Sequence, residues 1–470
     1  MSLLKPRAPR IREKRLDTLN AWLGDTTAAI AEFSGEETVQ RIRTFSQSAN
    51  DDLLYALRLL AGVRNSVVIV HAPRGCAAAG LFHQVSSGSG RWIVSNLDQR
   101  DTIMGADRKL RAAVSDAFRQ YKPEVIFVVS SPVAAINNDD IQAVVDELYP
   151  ELELPIVPVY VTGFASRNAV TGYDTVLHAI LKYVRKETGA QGSGSRINLL
   201  SVVEHRGDRL EVERLFASLG LELNVLPDGA PVEAFRLAAG ARFSLSLDQD
   251  SENYLGVTLR DEYSVPYVEQ ARPVGIGATG RWLVAAVEEL GLEEAARLLH
   301  EKESERIRLE LGDFSLEGIR VYLALSPATA FAVADFVEEF GGEVAGITVS
   351  HLDRLHTGRL QELSRRHPAL QIHVADGQPF EELNIIRRLA PDIYLGDAAH
   401  VGQVARLGVP VLSLENIPVL GYNGVTNLAR KISFALKNPA FVKVLSSVST
   451  PYLDSWYRRS PNWHIKIEVR

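Results

Sequence analysis

Short apolar runs rich in β-branched residues recur along the chain. They include SVVIVHAP (66–73), EVIFVVSSP (124–132), PIVPVYVTG (155–163), RINLLSVVE (196–204), GIRVYLALSP (318–327), EVAGITVSH (343–351), PDIYLGD (391–397) and VPVLSLE (409–415). A strand with one wet face alternates apolar and polar residues, whereas these runs are nearly continuous. That is the pattern of parallel strands covered by helices on both sides. Between them lie amphipathic stretches such as DRKLRAAVSDAFRQY (107–121), DRLEVERLFASLG (208–220) and ATAFAVADFVEEFGG (328–342). Glycine at the end of the last two is a helix-stop signal. Strand and helix in alternation predict an α/β protein with right-handed crossovers, whose sites gather at the carboxyl ends of the strands. Cys76, Ser130, Ser131 and Asp397 each follow a predicted strand.

The same pattern divides the chain. ETGAQGSGSR (187–196) reads as a flexible linker, and a charged helical run ends near Gly318, where another strand begins. The predicted organisation is three Rossmann-like parallel-sheet domains at 30–190, 195–315 and 316–420. A basic arm covers 1–29, and a C-terminal helical segment (421–470), carrying Trp456 and Trp463, packs back on the body. A chain of 470 residues is long enough for about three domains.

Charge and composition narrow the function classes. A formal net charge of −7 argues against a nucleic-acid binder, which would show a basic excess. No apolar run approaches the roughly 18 residues a membrane span needs. The stretch MSLLKPRAPRIREKR is basic but lacks the apolar core of a secretory signal. A single cysteine, Cys76, excludes an internal disulfide framework and fits a reducing cytoplasm. One thiolate cannot cage a metal either. Cys76 is thus a small buried hydrophobe or one ligand of a cluster completed by another chain.

Other motifs are weaker. No G-x-x-x-x-G-K-[ST] is present, so no P-loop nucleotide site is expected in this chain. A G-x-G-x-x-G stands at Gly275, Gly277 and Gly280, but QARPV separates it from the strand-like VPYVE, so it reads as a plain loop before a helix. None of the eleven histidines forms H-E-x-x-H. His351 and His356, five residues apart, share no helix face, and a mononuclear zinc site is not expected.

The surroundings of Cys76 add a further argument. VVIVHAPRGCAAAG (67–80), SNLDQRDTIMGADRKL (95–110), VIFVVSSPVAAINNDDI (125–141), PIVPVYVTGF with TGYDTVLHAI, VPYVEQARPVGIGATGRWL, PDIYLGD and GYNGVTNLARKISFALKNPAF run in one order over most of the chain. Together they resemble the nitrogenase component 1 superfamily. The resemblance implies that Cys76 is a ligand of an iron–sulfur cluster shared between two homologous subunits. It implies support of the cluster loop by Pro73, Arg74 and Gly75, with His71 ending the strand before it. Asp98 and Asp101, ahead of the Gly105 turn, would face an electron-donating partner, although helix-start carboxylates occur for purely structural reasons.

The departures from that family also carry information. Two flanking cysteines common in the family are absent. Ser46 and Ser48 stand in one segment and Ser130 and Ser131 in the other, so Ser48 and Ser131 remain at most weak cluster neighbours. LDQDSENYL places Asp248 near the position of a missing cofactor cysteine, as a cavity-lining residue, and VPVLSLENIPVLGYNG offers no cofactor histidine. A one-cysteine subunit nevertheless matches family pairs in which a [4Fe–4S] cluster takes three thiolates from one subunit and one from the other.

The resemblance therefore implies a subunit of a two-component, nitrogenase-like reductase. A P-loop ATPase iron–sulfur protein would dock and deliver electrons to the [4Fe–4S] cluster. The partner subunit, in a heterodimer or heterotetramer, would hold the substrate and any larger iron–sulfur cofactor. Two alternatives stand beside it: a metallocluster assembly scaffold, and a metal-free binding module of the same fold.

Overall fold

The computed structural model describes residues 17–47, 50–78, 91–161, 163, 168–183, 196–202, 205–448 and 452–468. Ser48, residues 1–16 of the N-terminal arm and nearly all of the 187–196 linker lie outside them.

The first unit is built on four parallel strands in the order Arg91–Val94, Ser66–His71, Val125–Ser130, Ile156–Val159. Every residue of the two central strands is buried. Their two-residue period sends Val68, Val70, Phe127 and Val129 into one core and Val67, Ile69, Ile126 and Val128 into another. This explains the continuous apolar runs: both faces need covering, and each fully buried side chain contributes roughly 1.5–3 kcal/mol. Helix Asp107–Tyr121 covers the second face with Leu110, Ala113, Val114 and Ala117, spaced for one side of a helix.

The second unit has four parallel strands, in the order Tyr267–Val268, Phe243–Ser246, Ile197–Ser201, Leu223–Pro227. The third has six: Trp22–Asp25, Gln371–Val374, Glu343–Val349, Arg320–Ala324, Ile393–Gly396 and Val411–Ser413. Five are parallel and Trp22–Asp25 is an antiparallel edge. Gly220 and Gly341 follow their helices with φ of +74° and +81°, the left-handed conformation that a glycine stop supplies.

Both ends of the chain differ from the sequence reading. The segment read as an arm over 1–29 contains an edge strand of the third sheet, and helix Thr26–Glu32 follows it, capped by Asp25. Four residues interrupted by Gly24 are too short to show strand alternation, and tertiary pairing decides their conformation. The segment 421–470 is not wholly helical. After helices Gly421–Lys437, Ala440–Ser446 and Asp454–Tyr457, Ile465–Ile467 pairs antiparallel with Arg41–Arg43. No helix among the described residues is long and apolar enough to cross a membrane.

Candidate functional site

Cys76 stands on a helical turn at 74–78 that leaves strand Ser66–His71. The base of the turn is fixed: Ala72 and Ala77 are fully buried, and Leu97 donates its backbone N–H to the Ala72 carbonyl at 3.1 Å. The tip is open, with Arg74, Gly75 and Cys76 exposed. A side chain at Gly75 would meet nothing within 4 Å, so the glycine bares the backbone rather than relieving a clash. Cys76 is thus a surface thiol and not the buried small hydrophobe that composition alone allowed.

His71 closes the strand below it. Its Nδ1 lies 3.0 Å from the Ser95 hydroxyl and its Nε2 3.3 Å from Asp139. Burial pushes its pKa down to about 4, against the opposing pull of Asp107 and Asp101, so the ring is neutral at pH 7.

The neighbouring candidates have structural partners. Ser130 donates to the Val161 carbonyl at 2.7 Å and accepts from its N–H at 2.8 Å. Ser131, fully buried, caps helix Pro132–Asn137 by accepting from Ala134 N–H at 3.3 Å. Ser46 accepts from the Gln378 amide at 3.2 Å, on the third unit. Asp98 and Asp101 form a reciprocal capping box at helix Gln99–Met104, with Lys109 3.8 and 3.5 Å away. Past that cap, Ile103 and Met104 are exposed, as is Ile136 on the adjoining helix Pro132–Asn137.

A second feature lies where the three units meet. A cavity of about 390 Å³ opens among the carboxyl ends of strands from the second and third sheets, closed on another side by Tyr55, Arg58 and Tyr173 of the first unit. Its walls carry Asp248, Asp250, Asp376, Glu382, Asp397 and Glu415, with Arg58, Arg272, His205, His351 and His400 among them. No thiol lines it, since the chain's one cysteine lies elsewhere.

Asp248 accepts from the backbone N–H of Asp250 at 2.9 Å and lies 3.7 Å from Arg272. Asp397 is open to the cavity yet enclosed by protein on most sides. Burial, reinforced by Glu382 and Glu415 and opposed by Arg58, pushes its carboxyl up to about 6. Burial acts against protonation of His400, but the Glu382 carboxylate at 2.8 Å raises its pKa overall.

His351 and His356, which share no helix face, are nevertheless brought together. His351 follows strand Glu343–Val349, and Asp353 then caps a tight turn at Arg354–His356 by accepting from Leu355 N–H at 3.0 Å. The turn folds His356 back until the two ring centres are 5.6 Å apart, and Asp250 lies 2.6 Å from His351 Nε2. Helix periodicity was the wrong test because the intervening residues form no helix face. The rule that sites gather at strand carboxyl ends, which pointed to Asp397, applies equally to Asp248, Asp250, His351 and Asp376.

The G-x-G-x-x-G segment contributes no anion site. Gly275 takes φ of +103° before helix Ile276–Ala286, and the Glu339 carboxylate accepts from the N–H groups of Ile276 at 2.9 Å and Gly277 at 2.8 Å. A protein carboxylate thus fills the place where a phosphate would sit.

Comparison with known proteins adds independent findings. A family model described as nitrogenase component 1 type oxidoreductase matches residues 52–437. The chain is 24% identical over 397 residues to the nitrogenase iron-molybdenum cofactor biosynthesis protein NifE of Rippkaea orientalis, covering 81% of this chain and 83% of that protein. It is 24% identical over 408 residues to the nitrogenase molybdenum-iron protein alpha chain of Methanothermobacter marburgensis, covering 82% and 86%. The fold superposes on nitrogenase Cp1 with TM-scores of 0.73 for the pH 6.5 structure and 0.76 for the pH 5 structure, at 17% identity. The first spans 90% of this chain and 98% of that one.

Proposed function

Because the chain belongs to the family of nitrogenase component 1 type oxidoreductases, we propose that it is one subunit of a two-subunit complex that assembles or holds a metallocluster. One observation carries this reading. The only thiol stands exposed at the edge of the first unit, while the large cavity between units has carboxylates and imidazoles but no thiol. In this reading Cys76 supplies one thiolate to a [4Fe–4S] cluster, and a homologous partner supplies the other three. Among the described residues, Ser130 and Ser131 do not complete the cluster, because Ser131 caps a helix and Ser130 is bound to Val161. The exposed Ile103, Met104 and Ile136, beside Asp98 and Asp101, give this end of the molecule an apolar surface suited to docking the partner or an ATP-dependent P-loop iron–sulfur protein.

The cavity chemistry favours a scaffold. Carboxylates and imidazoles are harder, weaker ligands for iron–sulfur units than thiolates, so a cluster received there as cargo can leave for an acceptor. A second reading, a reductase, rests on Asp397. A carboxyl pushed up to about 6 and facing the cavity can hand over a proton near neutral pH, as reduction of a bound substrate requires.

The test is anaerobic. The chain is co-expressed with its neighbouring genes, the co-purifying subunit is identified, and iron is counted in the wild type and Cys76→Ala. Loss of iron, or a changed spectrum of the reduced cluster in Cys76→Ala, supports the shared cluster. Unchanged iron and spectrum refute it and leave a metal-free module of the same fold. Transfer of a metallocluster to an acceptor protein without substrate turnover supports the scaffold, whereas turnover lost in Asp397→Asn supports the reductase.

A further inference from the structure

A buried nitrogen beside the cavity is without a partner. His356 is 5% exposed, and its Nε2 is fully enclosed with no hydrogen-bond partner. Leaving such a group unsatisfied is costly, and a buried polar atom of this kind calls for an explanation. Two further ligands, the Asp250 carboxylate and the His351 imidazole, converge on His356. One donor atom each from Asp250, His351 and His356 lies within 4.8 Å of the others, and all three residues are buried. The close pair His351 Nε2 and Asp250 Oδ2, 2.6 Å apart, explains itself as a hydrogen bond. The third member does not.

We propose that Asp250, His351 and His356 form a binding site for a single divalent first-row transition ion of the zinc or ferrous class, with a further coordination position open to water. Two imidazoles and one carboxylate are a borderline donor set. Such a set suits zinc or ferrous iron better than magnesium or calcium, which take mainly oxygen ligands.

The surroundings fit the role. Ser350 Oγ lies 2.9 Å from His351 Nδ1, and Asp353 Oδ1 lies 3.2 Å from His356 Nδ1, so both rings have an outer partner that orients them. The Asp353 backbone N–H also faces His356 Nδ1 at 3.1 Å. When the Nδ1 proton of His356 instead points to the Asp353 carboxylate, the Nε2 lone pair is left for a metal. A small cavity of about 20 Å³, lined by Asp250 and His356 and walled by Phe331, Ala332 and Leu355, is large enough for one water molecule. Arg272 and Arg359 line the same cavity as opposing charges, with Asp248 3.7 Å from Arg272 and Asp335 paired with Arg359. The site owes nothing to Cys76 and stands or falls apart from the shared-cluster reading.

The experiment uses the full chain, stripped of metal by chelator and dialysis and titrated with Zn2+, with Fe2+ under anaerobic conditions, and with Co2+ as an optical reporter. The expected result is a single equivalent bound, with Co2+ visible bands of low-coordinate geometry. His356→Ala and His351→Ala should each weaken binding by about 100-fold or more. Absence of binding by the wild type, or binding indifferent to both histidine substitutions, overturns the proposal. Should either variant fail to fold, pulsed EPR of Cu2+ on the unmodified chain reads imidazole coordination directly. Two imidazole nitrogens at one copper support the site, and none overturns it.

Discussion

His71 shows how one side chain at the foot of the cysteine turn ties structure to pH. It is 1% exposed, and burial holds its pKa at about 4, well below the ordinary value near 6.5. The unfolded chain therefore binds a proton at this residue at a higher pH than the folded chain does. The stability that neutral His71 contributes is complete above about pH 6.5 and is lost as pH falls toward 4. The difference corresponds to roughly 3 kcal/mol. Urea unfolding of the full chain should show a midpoint that declines over this interval, and His71→Asn should flatten that decline. An equally steep decline in the variant would place its origin elsewhere. At this scale the sequence was legible in part. Cys76 stood out because it is the only cysteine, whereas the convergence of Asp250, His351 and His356 was not readable, since it depends on a turn capped by Asp353.

Among elements, the helix Ile276–Ala286 is the most instructive. Its glycine motif was read as a loop because no strand immediately precedes it. The structure adds the physical reason that no anion binds: Glu339, at the end of helix Pro327–Glu339, already takes the first two free N–H groups. Glu339→Ala should cost about 1 kcal/mol, the usual value of a lost N-terminal cap with its dipole interaction. Differential unfolding of wild type and variant measures it, and a neutral substitution would mean that water replaces the carboxylate without loss. The continuous apolar runs were legible as strands because both faces of each sheet are covered. The edge strand Trp22–Asp25 was not, because its conformation is set by Gln371–Val374 and not by its own residues.

For the whole molecule, the second and third units present their strand ends to one cavity, which the first unit closes with Tyr55, Arg58 and Tyr173, and the described residues of both terminal segments join the third unit or its surroundings. The alternation of elements made the three units readable. The cavity was not readable as a whole, because its walls come from loops far apart in sequence. Trp22, 5% exposed, joins the largest core of the molecule, which spans the second and third units. Trp22→Ala should cost about 3–5 kcal/mol, and its effect should appear as early loss of protection from hydrogen exchange in Gln371–Val374. If exchange there stays at the wild-type level, the edge strand is dispensable.

The pairing of Trp22–Asp25 with Gln371–Val374 also sets an order of events during synthesis. The edge strand leaves the ribosome long before the strand it must join has been translated, and such distant pairing is intrinsically slow. A nascent chain that stalls anywhere before Val374 carries an unmatched tryptophan, which makes this segment a natural target for a chaperone.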